Sequence, residues 1–350
     1  MTMDFRQLPD LAARNVGGAV VSANDEAFAA KENLVTPGPA VFDSSDFGHK
    51  GKVYDGWETR RRREPDRDIE SGDEAIVRLG APGVVRGVVV DTAFFTGNFP
   101  PEVSVEGLAA DGHPSVAELL AADGWTELVP RSPVKGDTEN AFTVAGDRRV
   151  THVRLRIHPD GGVARLRVHG EALPDPALLD ALGTVDLAAI ENGGRVVACS
   201  NIFYSSPNNL LLPGPPRNMG EGWETARRRD DGNDWVEVAL GGESVIAVAE
   251  IDTTYFLHNA PGWATLRGRN TDGGWVELLP RTALLPDTRH RFPLGAAPPT
   301  THVRLDIHPD GGTARLRMHG RLTDRGRAEM GQRWRAGVTP TTRDHGEDSP

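Results

Sequence analysis

Residues 151–170 read THVRLRIHPDGGVARLRVHG, and residues 301–320 read THVRLDIHPDGGTARLRMHG, identical at 17 of 20 positions. A match of this length inside one chain of 350 residues marks an internal duplication. Within each copy the periodicity is two. Val153, Leu155 and Ile157 alternate with His152, Arg154, Arg156 and His158, and Ala164, Leu166 and Val168 alternate with Arg165, Arg167 and His169. Successive side chains of a strand point to opposite faces, so each segment is a strand with one face in a core. The Gly-rich turn between them predicts a hairpin that gathers the Arg and His side chains on one outer face.

Working outward, the duplication extends over most of the chain. WTELVPR at 125–131 recurs as WVELLPR at 275–281, DTAFFTGNFP at 91–100 as DTTYFLHNAP at 252–261, and GWETRRRR at 56–63 as GWETARRR at 222–229. DLAA occurs at 10–13 and again at 186–189. The offset between copies changes in steps from 176 to 150, so the first copy carries extra loop residues while the order is kept. This predicts two domains, 10–170 and 186–320, joined by a Pro-bearing linker at 171–185. The polar remainder, 321–350, is expected to be a disordered tail.

AIVRLG, VVRGVVVDTAFF, VEVALGG and SVIAVAEIDTTYF read as further strands. Ser115 and Glu118 form a capping box and open the single expected helix, which lies in an insertion of the first copy. Many short strands with Gly and Pro turns indicate an all-β architecture of two tandem β-sandwiches, and a jelly roll is the common way to close such edges. A formal net charge of -11 argues against nucleic acid, whose phosphates call for basic surfaces. The one cysteine, Cys199, excludes an intramolecular disulfide; without a recognisable leader or apolar span, a cytoplasmic protein is expected. Cys199 follows an apolar run, stands where the first copy has Ala23, and is expected to be inert.

Two segments carry candidate chemistry. In GWETRRRR a carboxylate, Glu58, sits beside Arg60 and Arg61, which could clamp a small carboxylate while Glu58 moves a proton; alternatively, Trp57 packs the domain end and the arginines are solvated. In DTAFFTGNFP, Asp91 ends an apolar run and needs a partner for its charge, with Arg60 or Arg61 the natural one; a purely structural salt bridge is the other reading. The histidines 152, 158 and 169 make a poor metal site, because residues six apart on a strand are about 20 Å apart. No G-x-S-x-G, H-E-x-x-H, phosphate-binding loop or paired C-x-x-C occurs.

Taken together, GWETRRRR, VVVDTAFFTGNFP, NLLLPGPPRNMGEGWETARRR, NDWVEVALGG and the twin IHPDGG segments resemble the allantoicase family from Asp10 to Gly320. That resemblance implies two galactose-binding-like jelly rolls and hydrolysis of allantoate to ureidoglycolate and urea. The family's usual His-Asp-Trp is absent from the first copy, Asn233 replaces its His in the second, and HNAP at 258–261 replaces Gly-Asn-x-Pro.

Mapped onto that chemistry, Glu58 and Asp91 are expected to divide the acid and base roles, with Arg60, Arg61, Thr96 and Asn98 binding substrate. The equivalents in the second copy are Glu224, Arg227, Asp252 and Asn259. The first copy is expected to carry the chemistry, because Gly97 becomes His258 and the second loop should take another shape. No tightly bound metal is expected, although a divalent ion such as Mn²⁺ could assist. A homo-oligomer is expected by analogy. The competing function is a non-catalytic jelly-roll module that binds a carbohydrate or another small ligand.

Overall fold

The computed structural model describes residues 4–62, 72–270 and 272–337. In the first repeat the alternating segments form β1 (Ala19–Ala23), β2 (Asp73–Asp91), β3 (Glu102–Leu108), β4 (Thr126–Pro133), β5 (Glu139–Thr143), β6 (Arg149–His158) and β7 (Arg165–Ala172). The second repeat answers strand for strand with β8 (Arg195–Cys199), β9 (Asp234–Asp252), β10 (Trp263–Arg269), β11 (Val276–Ala283), β12 (Arg289–Pro293), β13 (Thr300–His308) and β14 (Arg315–Leu322).

The long strand β2 belongs to both layers of its sandwich. Its first part lies between β1 and β6, the latter continuing to β3 and β4; its second part lies between β7 and β5. The changeover falls at the irregularity between Arg78 and Gly83, where the sequence reads LGAPG. Side chains have no room there: a Cβ on Gly80 would lie 2.5 Å from the Val16 carbonyl oxygen, and one on Gly83 2.5 Å from that of Glu171. Strand β9 changes layers in the same way between Ala239 and Ser244.

This topology corrects the expected hairpin. Strands β6 and β7 do not pair with each other; β6 runs between β2 and β3, and β7 lies on β2 in the opposite layer. The PDGG segment is therefore a crossover between sheets. Alternation had identified the inward faces correctly, since Val153, Leu155, Ile157, Leu166 and Val168 are fully buried in one core. The Arg and His side chains consequently split between two outer faces rather than sharing one. On β6, Arg154 pairs with Glu106 at 2.8 Å and Arg156 with Glu74 at 3.1 Å.

The predicted linker and tail also differ from expectation. Glu171 and Ala172 complete β7, Asp175 caps a helix α2 (Pro176–Leu182), and Val185–Asp186 already pairs with β14. The expected capping box is present at helix α1 (Val116–Ala121), with Ser115 and Glu118 bonded reciprocally. Instead of disorder after 321, Thr323 caps a helix α3 (Asp324–Ala336). Its Trp334 ring lies 3.7 Å from the Arg149 guanidinium of the first repeat, so the last helix joins the two sandwiches. Residues 338–350 of the expected tail lie outside the described residues, as does Arg63.

Candidate active site

Each GWET segment forms a two-residue strand at one end of its sandwich. Trp57–Glu58 pairs with Gly162–Val163, and Trp223–Glu224 with Gly312–Thr313. Trp57 and Thr59 are buried, whereas Glu58 is half-buried and Arg60 exposed, so alternation puts Glu58 and Arg60 on the outer side. The packing reading of Trp57 thus coexists with outward-facing charge.

The FTGN loop is seated on the PDGG crossover. The Gly162 N–H donates to the Asn98 carbonyl at 2.7 Å. Gly161 has φ +146°, and a Cβ there would meet the Pro100 nitrogen at 2.6 Å. The crossover glycines are needed for this close approach, which accounts for their recurrence better than a turn does. The seat delivers Asn98 to Glu58: Asn98 Nδ2 donates to Glu58 Oε1 at 2.7 Å. Burial raises the Glu58 carboxyl pKa above its ordinary value, and the Asn98 bond opposes that shift without cancelling it.

The arginines are held differently from one another. Arg60 Nε lies 2.6 Å from Asp25 Oδ2. Arg62 is anchored, its side chain 2.7 Å from Asp73 and its N–H donating to Asp160 Oδ2 at 2.7 Å. Arg61 is exposed and makes no side-chain bond among the described residues. Thr96 is exposed on the loop.

Asp91 is placed elsewhere. Its Oδ1 accepts from the Ala93 N–H at 2.9 Å, and it lines a cleft with Pro39, Glu139, Arg167 and His169, whose walls do not include Glu58. Burial, reinforced by Glu139, raises its pKa. The expected pairing of Asp91 with Arg60 or Arg61 is therefore not formed, because Asp25 takes Arg60. Glu58 does not line the Asp91 cleft, so that cleft does not bring together the two carboxylates expected to share acid and base roles.

The second repeat reproduces the first more closely than expected. Asn259 Nδ2 donates to Glu224 Oε1 at 2.7 Å, and the Gly312 N–H to the Asn259 carbonyl at 2.8 Å. The predicted change of loop shape does not occur. The position that needs a positive φ is not Gly97 but Phe94, at 69°, matched by Tyr255 at 71°. Their N–H groups donate to Asp137 and Asp287, each at 2.8 Å. His258 can therefore stand where Gly97 does. Arg227 is exposed, like Arg61, and Asp252 lies beside Arg289 at 3.6 Å where Asp91 has Glu139.

The histidines considered as ligands are dispersed. His152 Nδ1 meets Thr151 Oγ1 at 2.9 Å, His158 Nε2 meets Ser104 Oγ at 3.1 Å, and His169 Nδ1 meets the Leu8 carbonyl at 2.8 Å. Among the described residues no three His, Cys, Asp or Glu side chains converge as a metal-binding group. Asp25 was missed by sequence reasoning; the one available signal was its alignment with Asn201 at the 176-residue offset.

Two jelly-roll sandwiches in tandem, each closing a Glu–Asn pair beside arginines at one end, define a duplicated all-β protein with a repeated polar site. The chain belongs to the allantoicase family: the allantoicase repeat model matches it twice, over residues 9–173 and 185–323. It is 59% identical over 319 residues to a probable allantoicase of Nocardia farcinica, covering 91% of this chain and 95% of that one. A probable allantoicase of Streptomyces coelicolor is 54% identical over 338 residues, covering 95% and 90%. The crystal structure of allantoicase from Saccharomyces cerevisiae superposes with a TM-score of 0.77 at 35% identity, covering 90% of this chain and 93% of that one.

Proposed function

We propose that the reaction of this family, hydrolysis of allantoate to ureidoglycolate and urea in purine degradation, is carried out here at the end of the first sandwich where Glu58 meets Asn98. Allantoate carries one carboxylate and two ureido groups on a central carbon. The C–N bond to one ureido group breaks, its nitrogen gains a proton, and water supplies the new C–O bond while losing a proton. Asn98 occupies Glu58 Oε1, which leaves Oε2 to carry the proton. With its pKa raised by burial, Glu58 is suited to give that proton to the leaving nitrogen and to recover one from water. Both transfers then use one carboxyl group, in place of the division with Asp91. Arg60 and Arg61 supply the carboxylate clamp, Thr96 borders it, and the second Asn98 N–H is available to a ureido carbonyl.

The observation that carries this assignment is the half-buried Glu58–Asn98 bond beside exposed arginines. Incubating the purified chain with allantoate and following urea tests it; no urea at high protein concentration would overturn it. The second-repeat group of Glu224, Arg227 and Asn259 supports a related but unequal site, whereas Asp252, like Asp91, lines a separate cleft.

The assignment needs no resident metal, and elemental analysis after dialysis checks this: near one equivalent of a transition metal per chain would refute it. Added Mn²⁺ would then act only from solution. We place the chain in the cytoplasm on its single cysteine; among the described residues no helix is long and apolar enough to cross a membrane. Exposed Ile202, Phe203 and Tyr204 support self-association, which light scattering tests.

A further inference from the structure

The two repeats differ at one pair of facing positions in a way that assigns a role to Asp25. Its carboxylate is 6% exposed and holds Arg60 Nε at 2.6 Å, while Arg60 itself is 60% exposed. Oδ1 of the same carboxylate accepts the Arg60 N–H at 3.2 Å and the Ala27 N–H at 2.8 Å, and the Asp25 carbonyl accepts Trp57 Nε1 at 2.7 Å. In the second repeat the corresponding residues are Asn201 and Ala226. There the Asn201 side-chain oxygen accepts the Ala226 N–H at 3.1 Å, and its carbonyl accepts Trp223 Nε1 at 3.0 Å. A neutral amide therefore performs the backbone task. The carboxylate charge is present only in the repeat that has an arginine to hold.

Holding a guanidinium through Nε leaves its two terminal nitrogens as a paired set of donors, and in Arg60 these carry no bond among the described residues. Such a pair fits the two oxygens of a carboxylate. We propose that Asp25 is a positioning residue that fixes Arg60 with its terminal nitrogens turned to the substrate carboxylate, which makes the first-repeat site the carboxylate-selective one. This rests on the assignment of allantoate hydrolysis to the Glu58 site.

The test is steady-state urea release from allantoate by wild type, Asp25→Asn, Arg60→Ala and the double variant, with thermal melts of each. Asn copies the second repeat, so Asp25→Asn is expected to keep the melting temperature while raising KM about tenfold, with kcat within about threefold. Arg60→Ala raises KM at least as far, and the double variant matches Arg60→Ala because Asp25 acts only through Arg60. An unchanged KM in Asp25→Asn, or an equal loss with and without Arg60, overturns the proposal and leaves the assignment of the reaction standing. Wild type that releases no urea overturns that assignment, and this inference with it. Should Asp25→Asn not fold, Arg60→Lys decides: lysine lacks the paired donors, so KM rises as for Arg60→Ala, whereas a wild-type KM refutes the role.

Discussion

Asn98 donates to Glu58 at 2.7 Å from a loop that is itself held by the PDGG crossover. Three segments distant in sequence thus converge on one carboxyl group. Glu58→Gln keeps the acceptor for Asn98 but cannot exchange a proton, so kcat should fall by on the order of 10². A group whose folded pKa is raised stabilises the protein below its unfolded pKa and loses that contribution as pH rises through the folded value. Near neutral pH the substitution therefore should not lower the melting temperature. A large drop in melting temperature together with unchanged kcat would show that Glu58 is structural.

The Asn98 bond favours the charged form of Glu58, so removing it has a signed effect on pH dependence. Asn98→Ala should move the Glu58 limb of the kcat/KM profile to higher pH. Glu58→Gln should abolish that limb. A profile unaltered by either change would separate Glu58 from the proton transfers.

Asp91 and Asp252 occupy equivalent strand ends but face opposite charges, Glu139 in one case and Arg289 in the other. Because burial and Glu139 raise the Asp91 pKa, its ionised form is disfavoured in the fold above that value. Asp91→Asn keeps an acceptor for Ala93, so the melting temperature near neutral pH should hold or rise, with kcat within about threefold. Asp252→Asn removes a buried charge from beside Arg289 and should cost about 1 kcal/mol. Urea denaturation of both variants checks the opposite signs.

Much of this fold was legible because alternation and repetition act locally. Val153, Leu155 and Ile157 announce an inward face whatever strand lies beside them. Pairing is not local: β6 and β7 face one core from opposite layers, and no period in their sequences distinguishes that from a hairpin. The loop prediction failed for a related reason. Gly97 was assigned the demanding backbone angle, but the chain puts it at Phe94, where the Asp137 carboxylate holds the N–H. Glu58 and Asn98 were visible as a repeated polar pair, with Arg60 beside them in the first copy alone. Asp25 lay in a stretch without periodicity and became meaningful only beside Arg60. Helix α3 escaped notice because its buried face is narrow, formed by Gly326, Met330 and Gly331.

That helix makes a measurable contribution through Trp334. The Arg149 side chain is almost wholly buried and pairs with Asp111 at 2.8 Å, while its Nε and Nη1 have no hydrogen-bond partner among the described residues. The Trp334 ring covers this guanidinium and compensates part of its desolvation through the ring's negative face. Trp334→Ala should cost roughly 2 kcal/mol in urea unfolding, combining lost area with the lost cation–π contact. Trp334→Phe should recover part of it. Neither change should alter KM, since the Glu58 end of the sandwich is untouched.

His152 provides the last prediction. It is buried, and burial, with Arg78 adding to it, pushes its pKa down to about 4 from the usual 6.5. The neutral ring is thus favoured in the folded state. For a histidine shifted this way, the stabilisation is complete above the unfolded value near 6.5 and declines as pH falls toward the folded value near 4. The protein should accordingly lose stability across that window by taking up a proton on unfolding. His152→Gln keeps a polar side chain beside Thr151 but cannot titrate. Its melting temperature should be lower than wild type near neutral pH and should fall less steeply between pH 6.5 and 4, because one proton no longer distinguishes the folded from the unfolded chain. Melting curves collected at several pH values measure both slopes; parallel slopes would mean that His152 is protonated to the same extent in both states.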